Sequence, residues 1–273
     1  MLPYSVLGQM KPRAKRSLGQ HFLTDSNSCQ KIARFAEIGP HDSVVEIGPG
    51  TGQLTEILIS LARQVIAVEF DREMVQYLKD HWPPQDSPGS SRLTLVQADV
   101  LTLDWNTILG QDPVKVIGNL PYNISTRILQ RMIEIKDRLH SCTILIQKEV
   151  AQRILAAPES KDYGYFTLLM EYHFQRLAGF DIPPGAFVPK PKVISHVIKL
   201  IPREPPHAVS DYEGFLVLLK DAFQQRRKTL WNNLKRNHDP ARIRAAFQNC
   251  TIAEQARPEA VTLEQYSCLA RML

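Results

Sequence analysis

Apolar positions in the first two-thirds of the chain alternate between short continuous runs and helical spacings. Residues 43–48 (SVVEIG) form a buried-strand pattern, and residues 53–62 place Leu54, Ile57, Leu58 and Leu61 on one helical face. Residues 64–69 predict a second strand and 72–81 a second helix, closed by Trp82-Pro83-Pro84 and a loop over 85–91. Residues 93–97, 114–118 and 143–147 give three more strands. A helix over 125–136 has Ser125 as its N-cap. This alternation predicts an α/β fold, a parallel sheet wrapped by helices on both faces.

Past residue 160 the pattern changes. A helix near 166–172 leads into β-like residues 174–182. Residues 183–192 are too proline-rich for a regular element, while 193–201 are β-rich and could return to the sheet. Residues 202–206 (PREPP) resemble a linker, and 211–273 are helical in pattern. The expected organisation is a large α/β domain over 1–204, with 1–16 a basic flexible segment, and a small all-α domain over 205–273.

Composition narrows the classes. At 44% hydrophobic and 22% charged residues, the chain is neither disordered nor fibrous. No uncharged apolar run approaches the ~18 residues of a membrane span. The apolar residues 2–7 precede the basic run Lys11-Pro12-Arg13-Ala14-Lys15-Arg16 instead of following it, which is not the order of a secretory signal. Cys29, Cys142, Cys250 and Cys268 show no C-x-x-C spacing, so neither a zinc site nor a disulfide framework is indicated, and a reducing cytoplasm is the default. The histidines His21, His41, His81 and His173 are scattered and form no metal pattern.

Charge is more informative by position than in total. The net charge is +5, but residues 1–35 carry +5 and 220–244 carry +6, leaving −6 elsewhere. A mildly acidic body with two basic segments suits a polyanion such as nucleic acid, although a basic helix can also be a solvated face. The candidate contacts are Lys15 and Arg16, and Arg226, Arg227, Lys228, Lys235 and Arg236. Read as helix, Arg227, Trp231 and Lys235 share one face.

The chemistry is written at the ends of the predicted strands. Gly48, Gly50 and Gly52 in Glu46-Ile47-Gly48-Pro49-Gly50-Thr51-Gly52 let backbone approach a ligand. The spacing is G-x-G-x-G, which suits a nucleotide without a pyrophosphate, such as S-adenosylmethionine, better than a dinucleotide. Glu69 ends the second strand 21 residues after Gly48, where an acid accepts from a ribose diol. Asp99 ends the third and can accept from an adenine amine. Asn119-Leu120-Pro121-Tyr122 ends the fourth. An adenine amine is a poor nucleophile; the Asn119 carbonyl and a backbone carbonyl can accept both its N–H groups and aim its lone pair at a methyl donor. Pro121 has no N–H and favours an extended Leu120, and Tyr122 offers a stacking face. Phe187 could close over the other face of the base, or serve equally as a buried anchor of its loop.

These residues resemble the KsgA/RsmA family of bacterial 16S rRNA adenine dimethyltransferases over nearly the whole chain, from about Lys15 to Leu273. The further markers are Ser17-Leu18-Gly19-Gln20-His21-Phe22-Leu23, Val68-Glu69-Phe70-Asp71, the continuation Asn123-Ile124-Ser125, Gln147-Lys148-Glu149-Val150, Phe187-Val188-Pro189-Lys190-Pro191-Lys192-Val193 and Phe223-Gln224-Gln225-Arg226-Arg227-Lys228-Thr229-Leu230. The resemblance implies a Rossmann-like methyltransferase domain that uses S-adenosylmethionine and no metal. It implies dimethylation of two adjacent adenines near the 3′ end of 16S rRNA within an assembling small subunit, and an rRNA-docking role for the helical domain. It also implies cofactor contacts at His21, Leu23, Gly48, Glu69, Asp99 and Asn119. Position 21 is Asn in some relatives, so the contact there falls to the backbone more readily than to the side chain. Nothing indicates an oligomer, and a monomer is expected. Two other readings stand beside this one: a 23S rRNA or DNA adenine methyltransferase, and a binding protein acting mainly as an assembly checkpoint. Many DNA enzymes carry Pro where Leu120 stands here.

Overall fold

The computed structural model describes residues 12–82 and 92–273; Lys11 and the expected loop 85–91 lie outside the described residues. The chain divides into two compact units. The first comprises residues 1–148 and 177–202, and the second residues 149–176 and 203–273.

The first unit is built on a seven-stranded sheet. Its strands are β2 (Ser43–Ile47), β3 (Gln64–Glu69), β4 (Leu93–Gln97), β5 (Val114–Asn119), β6 (Leu139–Gln147), β7 (Phe174–Ile182) and β9 (Ser195–Pro202), in the spatial order β4-β3-β2-β5-β6-β9-β7. A short β1 (Phe22–Leu23) and β8 (Phe187–Val188) pair separately, antiparallel, with Leu23 opposite Phe187. The five strands from β4 to β6 are parallel, whereas β9 runs antiparallel to β6. The sheet is therefore mixed, and residues 195–202 do return to it.

Side-chain alternation explains the layers. Val44, Val65, Ile117, Leu145 and Val197 face a core shared with Cys29 and Ile32 of α1 (Ser26–Phe35) and Leu54 and Leu58 of α2 (Gln53–Leu61). Their neighbours Val45, Ile66, Val116, Ile144 and Ile198 point the other way and are equally buried. Both faces are thus covered, which is why these strands read as continuous apolar runs. Asp25 starts α1 by accepting from the Ser28 amide at 2.8 Å, and Asp71 starts α3 (Arg72–His81) by accepting from Glu73 at 3.0 Å. The helix α4 (Ser125–Glu134) stops two residues before the predicted end, and a 3-10 turn follows.

The second unit differs from the expected boundary at 204/205. Residues 149–176, expected with the sheet, belong to the helical unit: α5 (Lys148–Leu155) leads into it and α6 (Tyr165–His173) packs within it. Tyr163, Leu168 and Tyr172 share a buried cluster with Phe215 and Leu219 of α7 (Tyr212–Ala222), Leu230 and Leu234 of α8 (Leu230–Leu234), Phe247 of α9 (Pro240–Asn249) and Leu269 of α10 (Leu263–Met272). The side chains of α6 are apolar nearly all round, so they need that core. Asp211, Asp239 and Thr262 cap α7, α9 and α10.

One covalent bond departs from the sequence reading. Cys250, just after α9, is disulfide-bonded to Cys268 in α10, with Cα atoms 5.7 Å apart. A spacing of 18 residues carries no signature of its own; packing of the two helices creates the proximity. Closing a loop of that length restricts the unfolded chain, so reduction should lower the stability of the helical unit by about 3 kcal/mol. A thermal melt of the oxidised protein with and without reductant tests this, as does the Cys250→Ala, Cys268→Ala variant. Coincident melting curves would contradict it.

Candidate active site

The order β4-β3-β2-β5-β6 places β2, the first strand of the sheet, in the middle of the five parallel strands. The chain crosses outward on one side to β3 and β4, then returns to the other side as β5. Loops leaving the carboxyl ends of β2 and β5 therefore diverge and open a crevice. A cavity of about 300 Å³ lies there, lined by segments that follow each of these four strands and by residues 17–22.

The glycine loop after β2 shapes its floor. Gly48 and Gly50 line the cavity. Gly50 has φ +55° and a Cβ there would lie 2.7 Å from the Phe22 ring. Gly52 has φ +86°, and a Cβ there would collide with the Trp82 ring. Gly52 does not line the cavity, so the expected cofactor contact is corrected: close packing of Trp82, with the positive φ of a helix N-cap, requires glycine at 52.

Glu69 lines the cavity from the end of β3 and is 7% exposed. Its carboxylate accepts from the Asp71 amide at 2.8 Å and from the Gly50 amide at 3.3 Å. Burial pushes its carboxyl up, and those amides oppose the shift. Asp99, after β4, accepts from the Leu101 amide at 2.9 Å and also lines the cavity. Asp71 turns away into a clasp: Lys15 Nζ donates to it at 2.8 Å and Gln20 Nε2 at 3.2 Å. The clasp holds residues 17–21 against the cavity mouth.

Asn119 ends β5, its orientation settled by its partner. Its side chain meets the His21 carbonyl at 2.7 Å, an atom that only accepts. The amide nitrogen must therefore sit there, and Oδ1 is left as an acceptor with no partner among the described residues. Leu120 and Pro121 line the wall beyond it. The Tyr122 ring also lines the cavity, stacked against the His21 ring at 5.4 Å between centroids with an interplanar angle of 26°. His21 Nδ1 lies 2.7 Å from the Pro189 carbonyl and so carries the proton there. The structure thus gives His21 both a backbone role, through Asn119, and a ring role, against Tyr122.

Two expected site residues are elsewhere. Phe187 is fully buried and absent from the cavity wall, packed with Leu23, Ala186 and Val197. A ring with no exposed face cannot cover a base; it anchors its loop. Leu23 is its partner across the β1–β8 pair and is likewise core.

The basic segment also differs from its expected form. Arg226, Arg227 and Lys228 are not helical; they occupy the turn between α7 and α8, so the shared face with Trp231 does not exist. α7 ends at Ala222, Gln225 accepts from the Lys228 amide across the run, and Thr229 caps α8 after it. All three are exposed, as are Lys235 and Arg236 just past α8. Arg226 donates to the Lys161 carbonyl and Arg236 to Gln224. Lys15 is engaged with Asp71 and Glu73, at 2.8 and 3.3 Å, and is not a free cation. The sequence reading missed this clasp, the Asn119–His21 bond, and Arg127 on α4, which lines the cavity rim. None of these pairs has a local spacing that would reveal it.

Fold and site together define a Rossmann-like, S-adenosylmethionine-dependent methyltransferase: cavity, acids and asparagine fit a nucleoside donor and an aromatic amine. The family described as ribosomal RNA adenine dimethylase matches residues 11–273, and the chain belongs to it. The Ribosomal RNA small subunit methyltransferase A of Acinetobacter baylyi is 40% identical over 260 residues, covering 94% of this chain and 92% of that protein. The crystal structure of the 23S rRNA methyltransferase ErmE is 26% identical with a TM-score of 0.71, covering 92% of this chain and 99% of that one. A dimethyladenosine transferase from Plasmodium falciparum shares the fold at a TM-score of 0.76 and 23% identity, over 91% and 96% of the two chains. No helix among the described residues is long and apolar enough to cross a membrane.

One buried acid is outside the cavity wall. Glu46 in β2 is 1% exposed and its Oε2 has no hydrogen-bond partner among the described residues. Burial, reinforced by the nearby Glu69 charge, holds its carboxyl up at about 8 against an ordinary 4.5. Folding therefore favours the protonated acid. Its contribution is fully present below pH 4.5 and is lost as pH rises through about 8. Glu46→Gln should remove that loss, so the variant gains on the wild type between about pH 5 and about pH 9. Urea midpoints at the two ends measure this; an equal offset at both would refute a neutral Glu46.

Proposed function

We propose that this chain dimethylates the 6-amino groups of two adjacent adenines near the 3′ end of small-subunit rRNA, acting as a monomer in the cytoplasm on an assembling subunit. The observation that carries this reading is the fixed Asn119 amide, which leaves Oδ1 as a free acceptor at the cavity. The 40% identity to a small-subunit enzyme, against 26% to a 23S one, favours the small-subunit substrate.

S-adenosylmethionine, when bound, supplies a methyl group already activated on a sulfonium. Glu69 accepts from its ribose hydroxyls and Asp99 from its adenine amine. The backbone at Gly48 and Gly50 gives it room, and His21 closes the cavity from the N-terminal side. Asn119 Oδ1 and the Leu120 carbonyl accept the two N–H groups of the target adenine, which turns the nitrogen lone pair out of the ring and toward the methyl group. Tyr122 stacks the base. The enzyme contributes alignment and exclusion of water, because the methylated amine is strongly acidic and gives up its proton without a dedicated base. The second transfer repeats the geometry on the monomethylated amine.

Two substitutions separate cofactor from substrate. Glu69→Ala loses charge-assisted hydrogen bonds of roughly 1.5–3 kcal/mol, so cofactor affinity by calorimetry should fall about 10- to 100-fold. Asn119→Ala should instead reduce turnover on undermodified small subunits far more than subunit affinity, since its contact tightens at the transition state. Methyl transfer at near wild-type rate by Asn119→Ala would overturn the reading, and mass mapping of the methylated adenines identifies the substrate.

The turns flanking α8 are the proposed rRNA-docking surface. Phosphate contacts release counterions, so the logarithm of subunit affinity should fall steeply with the logarithm of salt. Neutralising Arg226, Arg227 and Lys228 together should flatten that slope by about two to three units and leave cofactor affinity unchanged. An unaltered slope places docking on another surface.

A further inference from the structure

The segment from Phe187 to Ser195 touches the methyl-transfer site without lining it. Its role is visible in three contacts. Phe187 is buried in the core and fixes the start of the segment. The Pro189 carbonyl accepts from His21 Nδ1, and the His21 ring stacks on Tyr122. Ser195, fully buried at the start of β9, shares a hydrogen bond of 2.6 Å with the Tyr122 hydroxyl. β9 is itself locked to β6, with Ser195 opposite Gln147.

These contacts restrict the Tyr122 ring in two independent ways. The His21 ring limits tilt of its plane. The Ser195 hydroxyl fixes the far end of the ring, some 6 Å from its Cβ by the ordinary dimensions of tyrosine, and so limits rotation about its side-chain bonds. A tyrosine on a loop after a strand would otherwise sample several rotamers, and each misaligned rotamer would turn the stacked base away from Asn119. Ser195 itself is out of reach of the substrate, because it has no exposed surface.

We propose that Ser195 is a positioning residue for methyl transfer: through its hydrogen bond to the Tyr122 hydroxyl it ties the base-stacking ring to the start of β9, an interior strand of the sheet. This rests on the proposed function, in that Tyr122 stacks the target base. The segment 187–195 is thus a brace behind the site. A stacking tyrosine needs only its ring, so the hydroxyl is explained by the tether and not by the base.

The test is a double-mutant cycle on the full chain. Ser195→Ala and Tyr122→Phe each break the same hydrogen bond and keep the stacking face. Each should lower kcat on small subunits about 3- to 10-fold. KM for the subunits and affinity for S-adenosylmethionine should stay within about twofold, and the double variant should be no slower than either single one. Ser195→Thr, which keeps the hydroxyl, should restore most of the turnover. Unchanged kcat in Ser195→Ala, or losses that multiply in the double variant, would overturn the proposal. A second readout does not depend on activity. In protein labelled with 13Cζ-tyrosine, the Tyr122 resonance, assigned by its absence in Tyr122→Phe, should move in Ser195→Ala. If the wild type fails to methylate small subunits, the functional reading falls and this resonance alone decides the tether: a shift supports it and an unmoved signal overturns it.

Discussion

Everything at the site depends on β2 lying in the middle of the five parallel strands of its sheet. β3 pairs with it on one side and β5 on the other, both parallel and in continuous register. Parallel pairing puts the carboxyl ends of these five strands on one edge, and the reversal of direction beside β2 prevents the two following loops from covering each other. Gly48, Glu69, Asp99 and Asn119 come from four different strands, yet this one constraint brings them round a single cavity. A further wall is added by residues 17–22, held by the ion pair of Lys15 with Asp71.

The parts of the fold that were legible are those with local punctuation. β3, α3 and β4 coincide with their predicted bounds because turn residues or an N-cap flank continuous apolar or amphipathic runs. α5 follows β6 with no residue between Gln147 and Lys148, so nothing in the sequence marks the change, and it was not predicted. α1 was also missed: its buried stripe is only Cys29, Ile32 and Ala33, small and weakly apolar. The division into units depended on where α6 finds its core, a tertiary choice that its sequence, apolar nearly all round, does not state.

The candidate site shows the same limit at finer scale. Residues at strand ends were legible, because strand position dictates where they go. Residues whose place is set by side-chain packing were not. Phe187 has the composition of a stacking residue but its partner is Leu23, 164 positions away in sequence. The run Arg226-Arg227-Lys228 has helix-forming residues, yet the cap at Thr229 starts α8 after it and leaves the run in a turn. Cys250 and Cys268 meet only because α9 and α10 pack.

The β1–β8 pair joins two segments of the catalytic unit that lie far apart in sequence. Phe22 cannot find Val188 until the ribosome has made everything between them. At roughly 5–20 residues per second that interval is on the order of ten seconds or more, during which the parallel strands from β2 to β6 can already form. β1 must wait, unpaired, while those strands are assembled. The His21 ring, held by the Pro189 carbonyl, is therefore among the last features of the site to be set during synthesis. A nascent chain holds the acids of the cofactor cavity before it holds the geometry that would let them serve a reaction.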